Sequence, residues 1–187
     1  MWTLPNLVTF VRILLLPVFL WRVWENDFRS ALIIFFVAGI SDGLDGLLAR
    51  RLNQFSQFGE KLDPIADKLM LVTSFIVLAI PGRGYEPIPL WLTATVLARD
   101  VLILLVALIV MAVSGFNRFR PSIYGKISTV IQIGMILIFV LVQAFRLEIG
   151  GLLLFCYLVT AAITVFSGLH YIVHLRVLMA EHRKEQT

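Results

Sequence analysis

Charge is scarce in this chain. Only 15% of its 187 residues are Asp, Glu, Lys or Arg, against about 25% in a typical soluble domain. That shortage argues against a water-soluble globule, and it excludes an intrinsically disordered chain, which is polar and charge-rich. Cysteine is nearly absent. With Cys156 alone there is no internal disulfide and no thiol-based zinc site, and its apolar surroundings read it as a small buried hydrophobe. Tandem repeats and low-complexity segments are missing, and no loop is long enough to form a soluble domain. What is present is apolar: 59% of residues are hydrophobic and the mean hydropathy is +0.92. A transmembrane helix takes roughly 20 apolar residues, so the chain has room for six. The net charge of +4 comes from scattered basic residues rather than a basic arm, which excludes nucleic acid as a partner. The expected fold class is all-α: a polytopic membrane protein with six transmembrane helices in one domain, residues 1–187.

Six apolar stretches cover residues 8–24, 31–48, 62–80, 90–113, 122–145 and 152–178. Turn-forming residues separate them, notably Glu25-Asn26-Asp27, Pro81-Gly82-Arg83-Gly84 and Gly150-Gly151. The first stretch has neither a basic start nor a small-residue cleavage site, so it reads as a retained span rather than a signal peptide. Basic residues orient the chain. Arg50, Arg51, Lys61, Arg118, Arg120, Lys126, Arg176, Arg183 and Lys184 fall on one side, nine in all, against Arg22, Arg29, Arg83 and Arg146 on the other. The positive-inside bias therefore puts both termini in the cytoplasm. Arg12, Lys68 and Arg99 lie within spans. Trp2, Trp21, Trp24 and Trp91 sit near span ends and read as interfacial anchors. His170 and His174, four apart without a third ligand at suitable spacing, read as polar lining or packing.

Asp42, Asp45, Asp63, Asp67 and Asp100 lie in or beside apolar sequence. One Asp at the bilayer centre costs roughly 2.5–3.5 kcal/mol even on a lenient scale, so four within a short segment call for compensation. Asp42 and Asp45 are three apart, Asp63 and Asp67 four apart. On helices both spacings put the pair on one face. Two adjacent helices of this kind would gather four carboxylates, whose repulsion two divalent cations would relieve. An all-oxygen ligand set favours Mg²⁺, Mn²⁺ or Ca²⁺ over zinc. A dimetal centre suits displacement at phosphorus. Gly43, Gly46 and Gly59 permit close approach of a bulky ligand, and Arg50 offers a planar fork for phosphate oxygens.

The run Asp42-Gly43-Leu44-Asp45-Gly46-Leu47-Leu48-Ala49-Arg50, followed by Gly59, Asp63 and Asp67, resembles the signature of the CDP-alcohol phosphatidyltransferase family at all eight fixed positions. Pro5-Asn6-Leu7 with Thr9 and Arg12 is similar to the family's opening. The resemblance implies a six-span enzyme, homodimeric in the cell (inner) membrane, with its site near the cytoplasmic face. An alcohol hydroxyl attacks the lipid-side phosphorus of CDP-diacylglycerol and CMP leaves. It further implies that Asp42, Asp45, Asp63 and Asp67 bind two cations, Mg²⁺ or Mn²⁺, with Asp67 also the general base. Gly46, Arg50, Ser56, Ala49, Gly59, Asn6 and Thr9 match positions of the CDP-lipid site.

For the acceptor, the resemblance points to Arg99, Lys126, Arg118 and Arg120, and to glycerol 3-phosphate as the alcohol, giving phosphatidylglycerol phosphate. Arg99-Asp100 and the stretch from Arg120 to Lys126 equally resemble the cardiolipin synthase branch, whose acceptor is phosphatidylglycerol. A rival from another class is an ion or proton transporter using intramembrane carboxylates. That rival does not account for the glycines and arginine spaced among the aspartates.

Overall fold

The computed structural model describes the backbone of residues 4–52, 57–114 and 123–185, and the side chains of residues 10–41, 66–106, 108 and 123–173. Among the described residues all regular structure is helical: α1 (Leu4–Trp24), α2 (Phe28–Leu52), α3 (Gln57–Leu78), α4 (Leu90–Ser114), α5 (Ile123–Phe145) and α6 (Gly150–Glu185). Each expected apolar stretch is one helix. The helices outrun the stretches where polar residues continue the turn, as at the end of α2 and in the last turns of α6. Two segments, Ile123–Phe145 and Gly150–Val173, are long and apolar enough to cross a membrane, each with mean hydropathy 2.2.

Two compact units are present. The first comprises residues 1–88 and 136–149, so α1, α2, α3 and the last part of α5. Its helix ends are built by local chemistry. Asn26 takes a left-handed conformation (φ 61°), and the N–H groups of Asn26 and Asp27 donate to the carbonyls of Val23 (3.0 Å) and Arg22 (2.9 Å), closing α1. Asp27 then caps α2, its Oδ1 accepting from the Ser30 N–H at 3.2 Å. Arg146 (φ 51°) closes α5 in the same way, with Leu147 N–H donating to the Val142 carbonyl at 3.0 Å. Inside this unit α1 packs on both α2 and α3. The core is aromatic and aliphatic: Phe19, Val23, Phe35, Phe75, Leu78 and Phe139 are buried, with the Phe19 and Phe35 rings 5.4 Å apart. Tyr85, on the loop after α3, inserts between Phe28 and Phe139 and donates its hydroxyl to the Val77 carbonyl at 3.2 Å. Burial pushes that phenol above its ordinary pKa.

The second unit comprises residues 89–135 and 150–187, so α4, the first part of α5, and α6. Its interior is polar. Ser128, Gln132, Thr160, Thr164 and Ser167 are buried. Gln132 Nε2 donates to Ser128 Oγ at 3.2 Å and to Thr164 Oγ1 at 3.0 Å, and Thr160 returns its hydroxyl to the Cys156 carbonyl at 2.7 Å. Cys156 itself is half-buried, less enclosed than its apolar neighbours suggest, because one side of α6 stays exposed at Phe155 and Leu158.

Candidate active site

The aspartates fall on the two helices that the spacing argument requires. Asp42 and Asp45 are on α2, with Gly46, Ala49 and Arg50 in the turns that follow. Asp63 and Asp67 are on α3, after Gly59. Of these residues only Asp67 has a described side chain. Asn6 and Thr9 are on the first turns of α1, and their side chains lie outside the described set. Ser56, Arg118 and Arg120 lie outside the described residues altogether.

Asp67 has an ion-pair partner that motif spacing did not single out. Arg12 Nη1 of α1 donates to Asp67 Oδ1 of α3. The arginine is 2% exposed and the aspartate 42%, so the cation is enclosed while the carboxylate stays open to an incoming group. Burying a guanidinium among apolar side chains demands an anion, and Asp67 supplies it. The pairing also joins the helix that carries Asn6 and Thr9 to the helix that carries the last aspartate of the motif. A signal for it was legible, since an arginine within an apolar span needs a partner, but nothing in the spacing said which of the five embedded aspartates it would be.

Four carboxylates distributed over α2 and α3 form a hard, all-oxygen donor set, and the open face of Asp67 is compatible with a ligand role, so the residues present fit divalent cations of the Mg²⁺ type. Among the described residues no cluster of three or more His, Cys, Asp or Glu occurs, which is expected when the side chains of Asp42, Asp45 and Asp63 are not among them.

The acceptor residues divide. Lys126 is exposed in the first turn of α5. Arg99 is enclosed in the second unit, donating from Nη2 to Ser167 Oγ at 2.8 Å and from Nη1 to Asp100 Oδ1 at 3.0 Å. Adjacent helical residues do not ordinarily face each other, and the sequence reading allowed this pair only an indirect link. The long guanidinium arm turns back and makes the contact direct. Gly168 makes room for the arm, since a Cβ there would sit 3.3 Å from Arg99 Cγ. His170 stacks near Tyr124, ring centres 4.4 Å apart, in keeping with a packing role.

Comparison with known proteins agrees with this arrangement. The family model for CDP-alcohol phosphatidyltransferase matches residues 2–167. The chain belongs to that family. Its relatives include the CMP-forming cardiolipin synthase of Streptomyces coelicolor, 36% identical over 133 residues, which are 68% of this chain and 60% of that protein. The human CMP-forming cardiolipin synthase is 31% identical over 189 residues, covering 91% of this chain and 62% of its own length. The chain thus spans about three fifths of the length of both cardiolipin synthases. The CDP-diacylglycerol–glycerol-3-phosphate 3-phosphatidyltransferase of Escherichia coli is 31% identical over 176 residues, covering 90% of this phosphatidyltransferase and 92% of the relative.

Proposed function

We propose that the chain, residues 1–187 as one transmembrane domain, is a six-span phospholipid-synthesising enzyme of the cell (inner) membrane, working as a homodimer near the cytoplasmic face. It transfers a phosphatidyl group from CDP-diacylglycerol to a hydroxyl of a glycerol-bearing acceptor. The observation that carries this reading is the ion pair between Arg12 and Asp67, which ties the family's opening segment on α1 to the fourth aspartate of the motif. A transporter reading gives no reason for an arginine to hold that aspartate beside a glycine-rich phosphate motif.

In the reaction, the acceptor oxygen forms a bond to the lipid-side phosphorus as the bond from that phosphorus to the CMP oxygen breaks. CMP departs with the bonding electrons, and Asp67 accepts the proton of the attacking hydroxyl. Asp42, Asp45, Asp63 and Asp67 would hold two divalent cations, Mg²⁺ or Mn²⁺, which when bound neutralise the diphosphate charge. Arg50 forks onto phosphate oxygens, while Gly46, Ala49, Gly59, Ser56, Asn6 and Thr9 shape the CDP-lipid site. Arg12 acts through Asp67 as a positioning residue. Arg99, Lys126, Arg118 and Arg120 are assigned to the acceptor on the sequence resemblance alone.

Two acceptors are supported, each by its own observation. Glycerol 3-phosphate is favoured by the near end-to-end match with the Escherichia coli enzyme of that specificity. Phosphatidylglycerol, giving cardiolipin, is favoured by the higher identity to the Streptomyces coelicolor cardiolipin synthase and by the Arg99-Asp100 and Arg120–Lys126 stretches. The deciding experiment gives purified protein CDP-diacylglycerol and Mg²⁺ or Mn²⁺ with each acceptor in turn, and follows CMP release and the mass of the lipid formed. One acceptor yields its product and chelation stops the reaction. Absence of CMP with both acceptors would reject the proposal.

A further inference from the structure

The end of the first unit remote from Asp67 carries a cleft of about 340 Å³. It lies between the α1–α2 turn and the turn that leaves α5, with Asn26, Asp27, Arg29, Gln143 and Arg146 among its lining. Asn26 is fourteen residues from Arg12 on the chain, roughly 20 Å along a helix axis, so the cleft takes no part in the proposed chemistry. By the distribution of basic residues this is the non-cytoplasmic end, where arginines are few. Of the four arginines there, Arg22 pairs with Glu25 at 3.3 Å and Asp27 at 3.6 Å, and Arg83 lies over the Trp24 ring. Arg29 and Arg146 both line the cleft, and among the described residues neither has a carboxylate within ion-pair distance. Asp27, the acid in the lining, is already engaged by the Ser30 N–H and by Arg22.

Arg146 is the more telling of the two. It occupies the left-handed position that closes α5, with φ 51°. Glycine or asparagine meets that requirement at least cost, and a long side chain does not. The equivalent position after α1 does carry an asparagine, Asn26. An arginine in strained backbone at a polar cleft points to a use for its guanidinium. Arg29 is steered into the same space by donating Nε to the Ala144 carbonyl at 3.4 Å. Two forked cations over an open polar cleft recognise phosphate oxygens. Trp21 and Trp24, exposed on the last turn of α1, set this end at the depth of lipid headgroups.

We propose that this cleft is a second ligand site, taking the phosphate of an anionic lipid headgroup between Arg29 and Arg146. Such a lipid would bridge the α1–α2 turn to the end of α5 and stabilise the first unit against unfolding.

The test uses the full chain purified in detergent micelles, titrated with phosphatidylserine, an anionic lipid that is neither donor nor product of the proposed reaction. Phosphatidylcholine serves as the reference. Phosphatidylserine raises the melting temperature of the wild type. Arg146→Gly, which suits the left-handed backbone, melts no lower than wild type in phosphatidylcholine, yet needs about tenfold more phosphatidylserine for half the rise. Arg29→Gln shifts the titration in the same direction, and both variants release CMP at the wild-type rate. An unshifted titration in both variants would overturn the site. A rise with inorganic phosphate equal to that with phosphatidylserine would overturn the lipid assignment. Neither outcome depends on turnover, so failure here is distinct from failure of the enzymatic reading.

Discussion

The two units solve the same problem, holding helices together in an apolar solvent, by different chemistry. The first fills its interior with Phe19, Phe35, Phe75, Tyr85 and Phe139 and admits one buried charge, Arg12, which is spent on Asp67. The second is threaded by Ser128, Gln132, Thr164 and Ser167, and it encloses Arg99 beside Asp100. Between helices in lipid there is little hydrophobic driving force, so close packing and side-chain hydrogen bonds decide association. Aromatic packing leaves the first unit free to commit its scarce charge to chemistry. In the second, the buried polar groups are committed to each other, and Arg99 joins α4 to α6.

That contrast can be broken most severely at Asp67. Asp67→Asn removes the proton acceptor and should lower CMP release about 100- to 10,000-fold while the protein stays folded, as judged by its elution and melting in detergent. Turnover near the wild-type level would sink the base assignment. Arg12→Ala should lower kcat by about 10- to 100-fold, the usual range for a residue that orients a metal ligand. The Mg²⁺ concentration needed for half-maximal rate should rise, and KM for CDP-diacylglycerol should hold. Arg12→Lys should recover part of the rate, whereas a purely packing role would predict no such recovery and no change in metal dependence.

The second unit should respond in stability rather than chemistry. Gly168→Leu pushes side-chain atoms into the Arg99 arm and should cost about 1–3 kcal/mol, read as a lower melting temperature. Gly134→Leu, at a glycine with open space around its Cβ position, should melt close to wild type. Equal losses from the two changes would show that Arg99 is not packed as described.

The smallest expected effect is at the α1–α2 turn. Hydrogen bonding to Ser30, with help from Arg22 and Arg29, holds the Asp27 carboxyl below the ordinary carboxylate value. Its contribution is therefore present above about pH 4, the unfolded value, and fades as pH falls through the lower native one. Asp27→Asn keeps a capping side chain but should flatten that part of the acid melting profile; an unchanged profile would remove the cap from the account.

Much of the helical layout was legible because hydropathy and turn chemistry are local. The boundaries that differed did so where polar turns extend a helix: α2 continues to Leu52 and α6 to Glu185, since backbone hydrogen bonding does not stop where apolar sequence does. The aspartate quartet was legible for the same local reason, fixed spacing on two neighbouring helices. Asp100 was the harder case. It stood beside the quartet as another embedded acid, and its bond with Arg99 depends on how the side chain of an adjacent residue folds back.

From its own letters, this chain specified an integral-membrane class, six helices and four carboxylates spaced for metal and phosphate. These are consequences of composition and of intervals within a helix. Partnership across helices was decided by tertiary structure alone. Arg12 finds Asp67 across 55 residues and Arg99 finds Ser167 across 68. A charge in apolar sequence announces the cost of burial, and only the packing of distant helices determines which group offsets it.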